Sequence, residues 1–274
     1  MNAVLNMPTR AHMNVFGQTL SLDDVRKQAP AAFAESAHED LSAKYTFIPT
    51  TKVISGLLDA GFAPVEARQA RTVRTSSAHA LHAVRLRRNY EQIALRDAVP
   101  EILLWNSHDG SSAYHLRMML FRAVCTNGLV VSQGAFPSVC VAHRGNVVEE
   151  VVTGALEISG RFDLLARQVE RMEQRRMLKD EQLQFAERAL AFRFPNPQTC
   201  GIEPSRLLTA RRSEDLADNL YTVLNRVQEH LVSGGLHRRT ATGRLTHTRR
   251  MSSIRNGVRL NSQLWDLATE VLAA

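Results

Sequence analysis

A chain of 274 residues with 44% hydrophobic and 22% charged residues holds enough apolar side chain for a real core, in one large domain or two modest ones. Its formal net charge of +7 and pI near 9.8 favour an anionic partner such as nucleic acid. Three cysteines, at 125, 140 and 200, are odd in number and show no paired spacing, which excludes a disulfide framework and a Cys-based zinc site and fits a reducing cytoplasm.

Only Lys27, Lys44, Lys52 and Lys179 are Lys, so 30 of the 34 basic residues are Arg. Guanidinium suits bidentate phosphate contact, although a GC-rich genome would enrich it without any function. No run approaches the roughly 18 apolar residues of a membrane span. Residues 1–20 contain no apolar core that would read as a signal peptide.

In chain order, Ser21-Leu-Asp-Asp24 reads as a helix start and Pro30 as its stop. Thr50-Thr51 reads as a cap for a helix with Val53, Ile54, Leu57 and Leu58 at helical spacing, ended by Gly61. From Phe62 to Arg88 the pattern becomes strand-like. Residues 63–73 and 78–88 can form a hairpin with Leu81, Ala83 or Val84, and Leu86 inward and Arg85, Arg87 and Arg88 on an outer basic face.

Residues 99–143 organise the rest. Three apolar runs are separated by Asn106-Ser-His-Asp-Gly110 and Thr126-Asn-Gly128. Asp-Gly and Asn-Gly between apolar runs are hairpin signals, because Gly and Asn tolerate the positive φ of a tight turn. The expectation is a small antiparallel sheet with strands at 101–105, 113–124, 129–131 and 139–142. Met118–Phe121 could instead begin a helix, since periodicity does not decide a short apolar run.

After His143 the period changes. Asn146-Val-Val-Glu149 resembles a capping box, and Val148, Val151, Val152 and Ala155 follow at helical spacing, with a kink expected at Gly154 or Gly160. Phe162–Phe192 reads as one long helix or a helix pair with a solvated charged face. Phe194-Pro-Asn-Pro197 is the clearest break. Ser213 opens a further helix ended by Gly234-Gly235, and Asn261–Leu272 forms the last. The fold class is α+β: a small antiparallel sheet packed by long helices, with a C-terminal helical portion. Residues 1–40 read as an N-terminal extension, 41–195 as the sheet-plus-helix core, and 196–274 as C-terminal helices carrying an Arg-rich segment.

That segment has the most uneven charge. From Leu236 to Leu264 there is no Asp or Glu, while Arg238, Arg239, Arg244, Arg249, Arg250, Arg255 and Arg259 all fall within it. Several Arg on phosphates give salt-sensitive, sequence-independent binding. No Phe, Trp or Tyr lies in the span, which argues against a stacking-dominated single-strand platform, so backbone contact would have to dominate.

Pro100-Glu101, NSHDG at 106–110, Phe121-Arg122, CTNGL at 125–129, Asn225-Arg-Val-Gln-Glu229, Gly234-Gly235, Arg255, Asn261 and Trp265 together resemble a bacterial "phage/plasmid-like" family, the domain-of-unknown-function family number 932. The likeness runs from about Tyr45 to Leu272. It implies a mobile-element protein of the cytoplasm and supplies no catalytic residues. A sheet followed by a long helix is also architecturally similar to phage single-strand annealing proteins, an analogy of fold only.

Other constellations have bland readings beside sharp ones. His108, Asp109, His115 and His143 could ligate zinc or manganese, but their spacing matches no standard ligand motif, and Asp109 has an adequate role in its own turn. His79 and His82 lie three apart and would face opposite sides of a strand. Cys125 could be a nucleophile beside His143 or His115, or a small core residue. No phosphate-cradling glycine loop exists, which argues against ATP or dinucleotide use. Glu101 and Arg122 read as a buried salt bridge with each other or with Asp109.

The expected function is non-enzymatic nucleic-acid binding in a phage, plasmid or integrative element, in its specific form single-strand DNA binding or annealing by a homo-oligomer, without cofactor, metal or membrane. Arg238, Arg239, Arg244, Arg249, Arg250 and Arg255 would hold phosphates, with Arg85, Arg87 and Arg88 as a second patch. Asn106, His108, Asp109, Gly110, Cys125, Asn127 and Gly128 would form a structural motif. The alternatives are an anti-defence or anti-restriction protein that binds another protein, a metal-dependent nuclease using the NSHDG turn, and a structural oligomer.

Overall fold

The computed structural model describes residues 19–42, 45–71, 77–88, 95, 97–122, 127–131, 136–196, 200–239 and 243–274. Residues 1–163 and 164–274 form two compact units. Pro195 lies inside the second of them, and Pro197 lies outside the described residues.

The first unit is an antiparallel sheet with helices. Its strands are β1 (Phe62–Gln69), β2 (His82–Arg88), β3 (Ala98–Asn106), β4 (Tyr114–Arg122), β5 (Asn127–Val130) and β6 (Ser138–Val141). They run in the order β1-β2-β3-β4-β5, and β6 also pairs with β4. One long strand thus serves two short ones: β5 takes Met119–Arg122 and β6 takes Tyr114–Arg117. Met118–Phe121 is strand. Asn127 and Gly128, expected in a turn, are already paired with Arg122 and Phe121; Thr126 and Cys125 lie outside the described residues.

Helix α1 (Leu22–Gln28) starts with a capping box between Ser21 and Asp24 and packs on β1. Helix α2 (Thr50–Asp59) packs on β1 and on α3 (Val147–Ser159), which in turn lies on β3, β4 and β6. Two glycines set these approaches. A Cβ on Gly56 would sit 2.9 Å from Val148, and one on Gly154 would sit 2.5 Å from Val139. Gly154 therefore lets α3 close on β6, and the helix continues through it to Gly160. Asn146 does not cap α3; its amide donates to Glu149 instead.

Prolines confirm where the ladder needs no donor. Pro64 lies in the edge strand β1 beside a bulge. Pro100 lies beyond Leu86↔Ile102, where the β2–β3 pairing stops. The outer backbone of β1 is covered. Leu20 N–H donates to Pro64 O at 2.7 Å, and Ala67 N–H donates to Gln28 Oε1 at 3.2 Å.

β2 does not carry the expected outer basic face. Arg85 Nε donates to Glu101 Oε2 at 2.8 Å, Arg85 also pairs with Glu66 at 2.5 Å, and Arg87 Nη2 meets Glu101 Oε1 at 2.6 Å. Glu101 is fully buried and Arg85 nearly so. The Arg85 guanidinium also lies 3.8 Å from the Phe121 ring centroid. Arg88 donates to Ser159 Oγ at 3.0 Å. The physical reason is register: Glu66 stands directly opposite Arg85, and Glu101 lies on the strand that covers β2 from the other side. Arg85 and Arg87 are thus engaged by carboxylates of the same chain and Arg88 by a hydroxyl. Arg122 pairs with Asp97 at 2.5 Å, not with Glu101.

The second unit contains all but the first two residues of α4 (Phe162–Gln174), with α5 (Lys179–Arg193), α6 (Leu220–Ser233), a two-stranded ribbon of β7 (His237–Arg239) and β8 (Leu245–His247), and α7 (Ile254–Ala273). The 162–192 segment is thus a helix pair. Helix α6 is buried from Leu220 to Leu231, so its polar residues seek partners inside the fold. Gln228 Nε2 donates to Asn261 Oδ1 at 2.8 Å, Arg212 pairs with Glu229, and His230 Nε2 meets Thr209 O at 2.8 Å. The Asn225–Glu229 motif is therefore a buried polar stripe that fixes the neighbours of α6. The helix expected from Ser213 begins only at Leu220, capped by Asn219, whose Oδ1 accepts from Thr222 N–H at 2.9 Å. Leu216 is 67% exposed and belongs to no helical stripe. The last helix starts at Ile254, earlier than Asn261, because Ser253 Oγ caps it through Asn256 N–H.

Candidate functional site

Two places in the chain gather chemistry-bearing side chains, one in each unit. In the first, β2, β3 and β4 end in one row: His82 stands opposite Asn106, and Tyr114 follows one step past the Trp105↔His115 pair. The NSHDG turn brings His108 to this end, the residue two past β6 adds His143, and the first residue of α2 adds Thr50. Thr50 Oγ1 lies 2.9 Å from His82 Nε2, 3.1 Å from His108 Nε2, 3.2 Å from Tyr114 OH and 3.3 Å from Asn106 Nδ2. Thr50, His108 and Asn106 are completely buried and His82 is 1% exposed.

The protons can be assigned from valence alone. His82 Nδ1 faces the Ala80 carbonyl at 2.9 Å, so it carries hydrogen and Nε2 accepts. Thr50 therefore donates to His82 and accepts from Asn106 and His108. Tyr114 donates to Ile48 O at 2.8 Å. Asn106 Oδ1 accepts from His143 Nε2 at 2.8 Å, and the Tyr45 ring stacks on His143 with centroids 4.5 Å apart.

Burial holds the imidazoles neutral. It lowers His82 to about 4. At His108 burial and then the neighbouring His82 and His143 imidazoles lower it to about 3. Burial also lowers His143 and raises the Tyr45 and Tyr114 phenols. The cluster is a buried network of uncharged donors and acceptors that ties α2, the turn and the end of β6 to one end of the sheet.

The other members of the expected metal group are elsewhere. His115 stacks on Trp105 at 4.8 Å, one residue along β4 from Tyr114 and so on the opposite face. Asp109 Oδ1 accepts from Ser111 N–H at 2.9 Å. Burial alone would raise its carboxyl, but hydrogen bonds from Ser107 and Ser111 outweigh this and hold it below its ordinary value. Gly110 supplies the φ of +75° that closes the turn. Among the described residues no three of His, Cys, Asp and Glu are placed to hold a metal. Cys125 lies outside the described residues; Cys140 is exposed and Cys200 buried. Sequence reasoning found His108 and Asn106 but took Thr50 for a cap and set His82 aside. The missing signal was strand register, which alone puts His82 beside Asn106.

In the second unit the acid-free segment is a ribbon and its continuation. Gly234 and Gly235 lead into β7 with φ of +72° and +82°. A Cβ on Gly234 would meet Thr248 O at 2.6 Å, so only glycine allows the two arms to close there. The pairs are His237↔His247, Arg238↔Thr246 and Arg239↔Leu245. Arg239 thus shares a face with His237, His247 and Leu245, while Arg238 lies on the other. Arg244 is at the tip, Arg249 and Arg250 follow β8, and Arg255 begins α7; Arg239, Arg244, Arg249, Arg250 and Arg255 are all exposed. The six are therefore neighbours along one ribbon but do not share one face. Among the described residues, Arg238, Arg239, Arg249 and Arg250 form no ion pair with a carboxylate; the ion pairs of this unit use other arginines. Beside β7 is a cleft of about 350 Å³ lined by Gly201, Glu203, Arg206, the β7 strand and Leu245.

A helix-covered antiparallel sheet with a separate helical unit defines an α+β protein, and the family model for a domain of unknown function (DUF932) matches residues 37–265. The chain belongs to that family. It is 39% identical over 255 residues to the UPF0380 proteins YafZ and YfjQ of Escherichia coli K12, covering 92% of this chain and 92% of each relative. No solved structure matches it. No described helix is long and apolar enough to cross a membrane.

Proposed function

We propose that the chain binds nucleic acid without catalysing a reaction on it, through the Arg-rich ribbon of 236–264, as a protein of a phage, plasmid or integrative element. Single-stranded DNA is the preferred ligand and a homo-oligomer the working form. The observation that supports this is charge without compensation: the span holds seven Arg and no Asp or Glu, and Arg238, Arg239, Arg249 and Arg250 meet no carboxylate among the described residues. Elsewhere in the fold many Arg side chains are consumed by ion pairs such as Arg85–Glu101, Arg188–Glu270 and Arg212–Glu229. Guanidiniums without a carboxylate partner are available to displace counterions from a polyanion. The NSHDG turn lends no support to the hydrolase alternative, since His108 is completely buried and bonded to Thr50.

The test is an electrophoretic or fluorescence titration at several salt concentrations. Replacing Arg238, Arg239, Arg249 and Arg250 with Ala should weaken binding to many sequences alike. It should also flatten the plot of log K against log salt by about one unit per lost phosphate contact, three to four units in all. An unchanged slope in the quadruple variant would refute the assignment.

A further inference from the structure

We infer that one face of the β7–β8 ribbon, with the cleft beside it, is a subsite for an unpaired nucleotide. The inference rests on the nucleic-acid reading above and specifies how a single strand is told from a duplex. The segment lacks Phe, Trp and Tyr, yet it does not lack flat rings. His237 and His247 are cross-strand partners with ring centroids 4.1 Å apart at 53°, and both are exposed. Arg239 and Leu245 form the next pair on the same face, and Leu245 is 63% exposed. Two imidazoles, a planar guanidinium and a solvent-facing Leu form a surface to which a base π-face is complementary.

The cleft supplies what a stacked nucleotide needs besides that surface. At about 350 Å³ it falls at the small end of the range for small-molecule pockets. Arg206 and Arg238 line it, and the Arg238 Nε–H is buried without an acceptor among the described residues. A buried donor in that state is costly, and a phosphate oxygen would satisfy it. Glu203 gives the lining a carboxyl that can accept from an exocyclic amine, as a cytosine or adenine edge presents. The ribbon is held at this place by backbone contact. Gly201 has φ +66°, and a Cβ on it would lie 2.9 Å from Arg239 O and 3.0 Å from Arg239 N. A duplex hides its base faces, so only its phosphates could use the site.

The test compares oligo(dC), an abasic oligomer of the same length, backbone and charge, and a duplex of the same length. The full chain should bind oligo(dC) about tenfold or more tighter than the abasic strand. His237→Ala/His247→Ala should remove that preference while leaving the salt slope and the affinity for duplex unchanged, and His237→Phe/His247→Phe should restore it. Both pairs of substitutions are at exposed positions, and an unchanged melting curve verifies the fold. Equal affinity of the intact chain for abasic and base-bearing strands would overturn the subsite and leave the phosphate-binding reading standing. Failure to bind any of the three at low salt would overturn both.

Discussion

Acid should destabilise the sheet unit well above the usual carboxylate range, and the buried imidazoles set the size of the effect. In the unfolded chain each titrates near 6.5; in the fold His82 titrates at about 4 and His108 at about 3. Between those values the unfolded state binds protons that the folded state refuses, so stability falls as pH falls below about 6.5. Going from pH 7.5 to pH 5 costs about 2 kcal/mol for each imidazole, hence about 4 kcal/mol for the pair. His143, also lowered, acts in the same direction. That is a large share of the roughly 5–15 kcal/mol that stabilises a typical domain. Hydrogen exchange of the β3 and β4 amides, corrected for intrinsic rates, reports the opening free energy of this unit by itself. The His82 and His108 ring resonances should stay at their neutral positions down to pH 5 while the opening free energy drops. A free energy flat between pH 7.5 and 5, or ring resonances titrating near 6.5, would refute the proton assignments around Thr50.

Two further outcomes follow from the packing. Glu101→Gln removes the buried carboxylate that both Arg85 and Arg87 engage and leaves Glu66 to balance Arg85, so unfolding in urea should show a loss of about 3 kcal/mol; a loss below about 1 kcal/mol would mean the pair is solvated. Gly201→Ala places a methyl against the Arg239 backbone and strains a positive φ. It should displace β7, shift the amide resonances of 237–239 and 245–247, and lower affinity for base-bearing strands, while the spectrum of β1–β6 stays unchanged. Unaltered ribbon resonances would show that this contact does not hold the ribbon.

The sheet was legible because its signals are local. NSHDG needs a glycine at positive φ, and Gly110 provides it; Phe62–Arg88 alternates and pairs as a hairpin. Alternation alone could not say that the second face of β2 is covered, and Arg85 and Arg87 therefore read as solvent-facing although Glu66 and Glu101 were present in the sequence to neutralise them. The early start of α7 was hidden by Gly257 and a polar first turn, which lower helix propensity while a Ser253 cap compensates. Thr50 was misread for a related reason: Ser and Thr at a helix start usually cap, but here Pro49 holds the cap position and the Thr50 hydroxyl is committed to partners 32 to 64 residues away. The charge imbalance of 236–264 was plain in the sequence, but the imidazole pair within it became visible only through the ribbon register.

The covered border of β1 has a consequence for how copies of this chain can meet. Leu20 and Gln28 occupy hydrogen-bonding groups that an incoming strand would need, so growth by strand addition on that side is blocked unless the α1 segment is first peeled away. Shortening the chain past residue 28 would uncover a bare ladder of amides and carbonyls, and the product should turn sticky and precipitate, even though the remaining sheet keeps its interior intact.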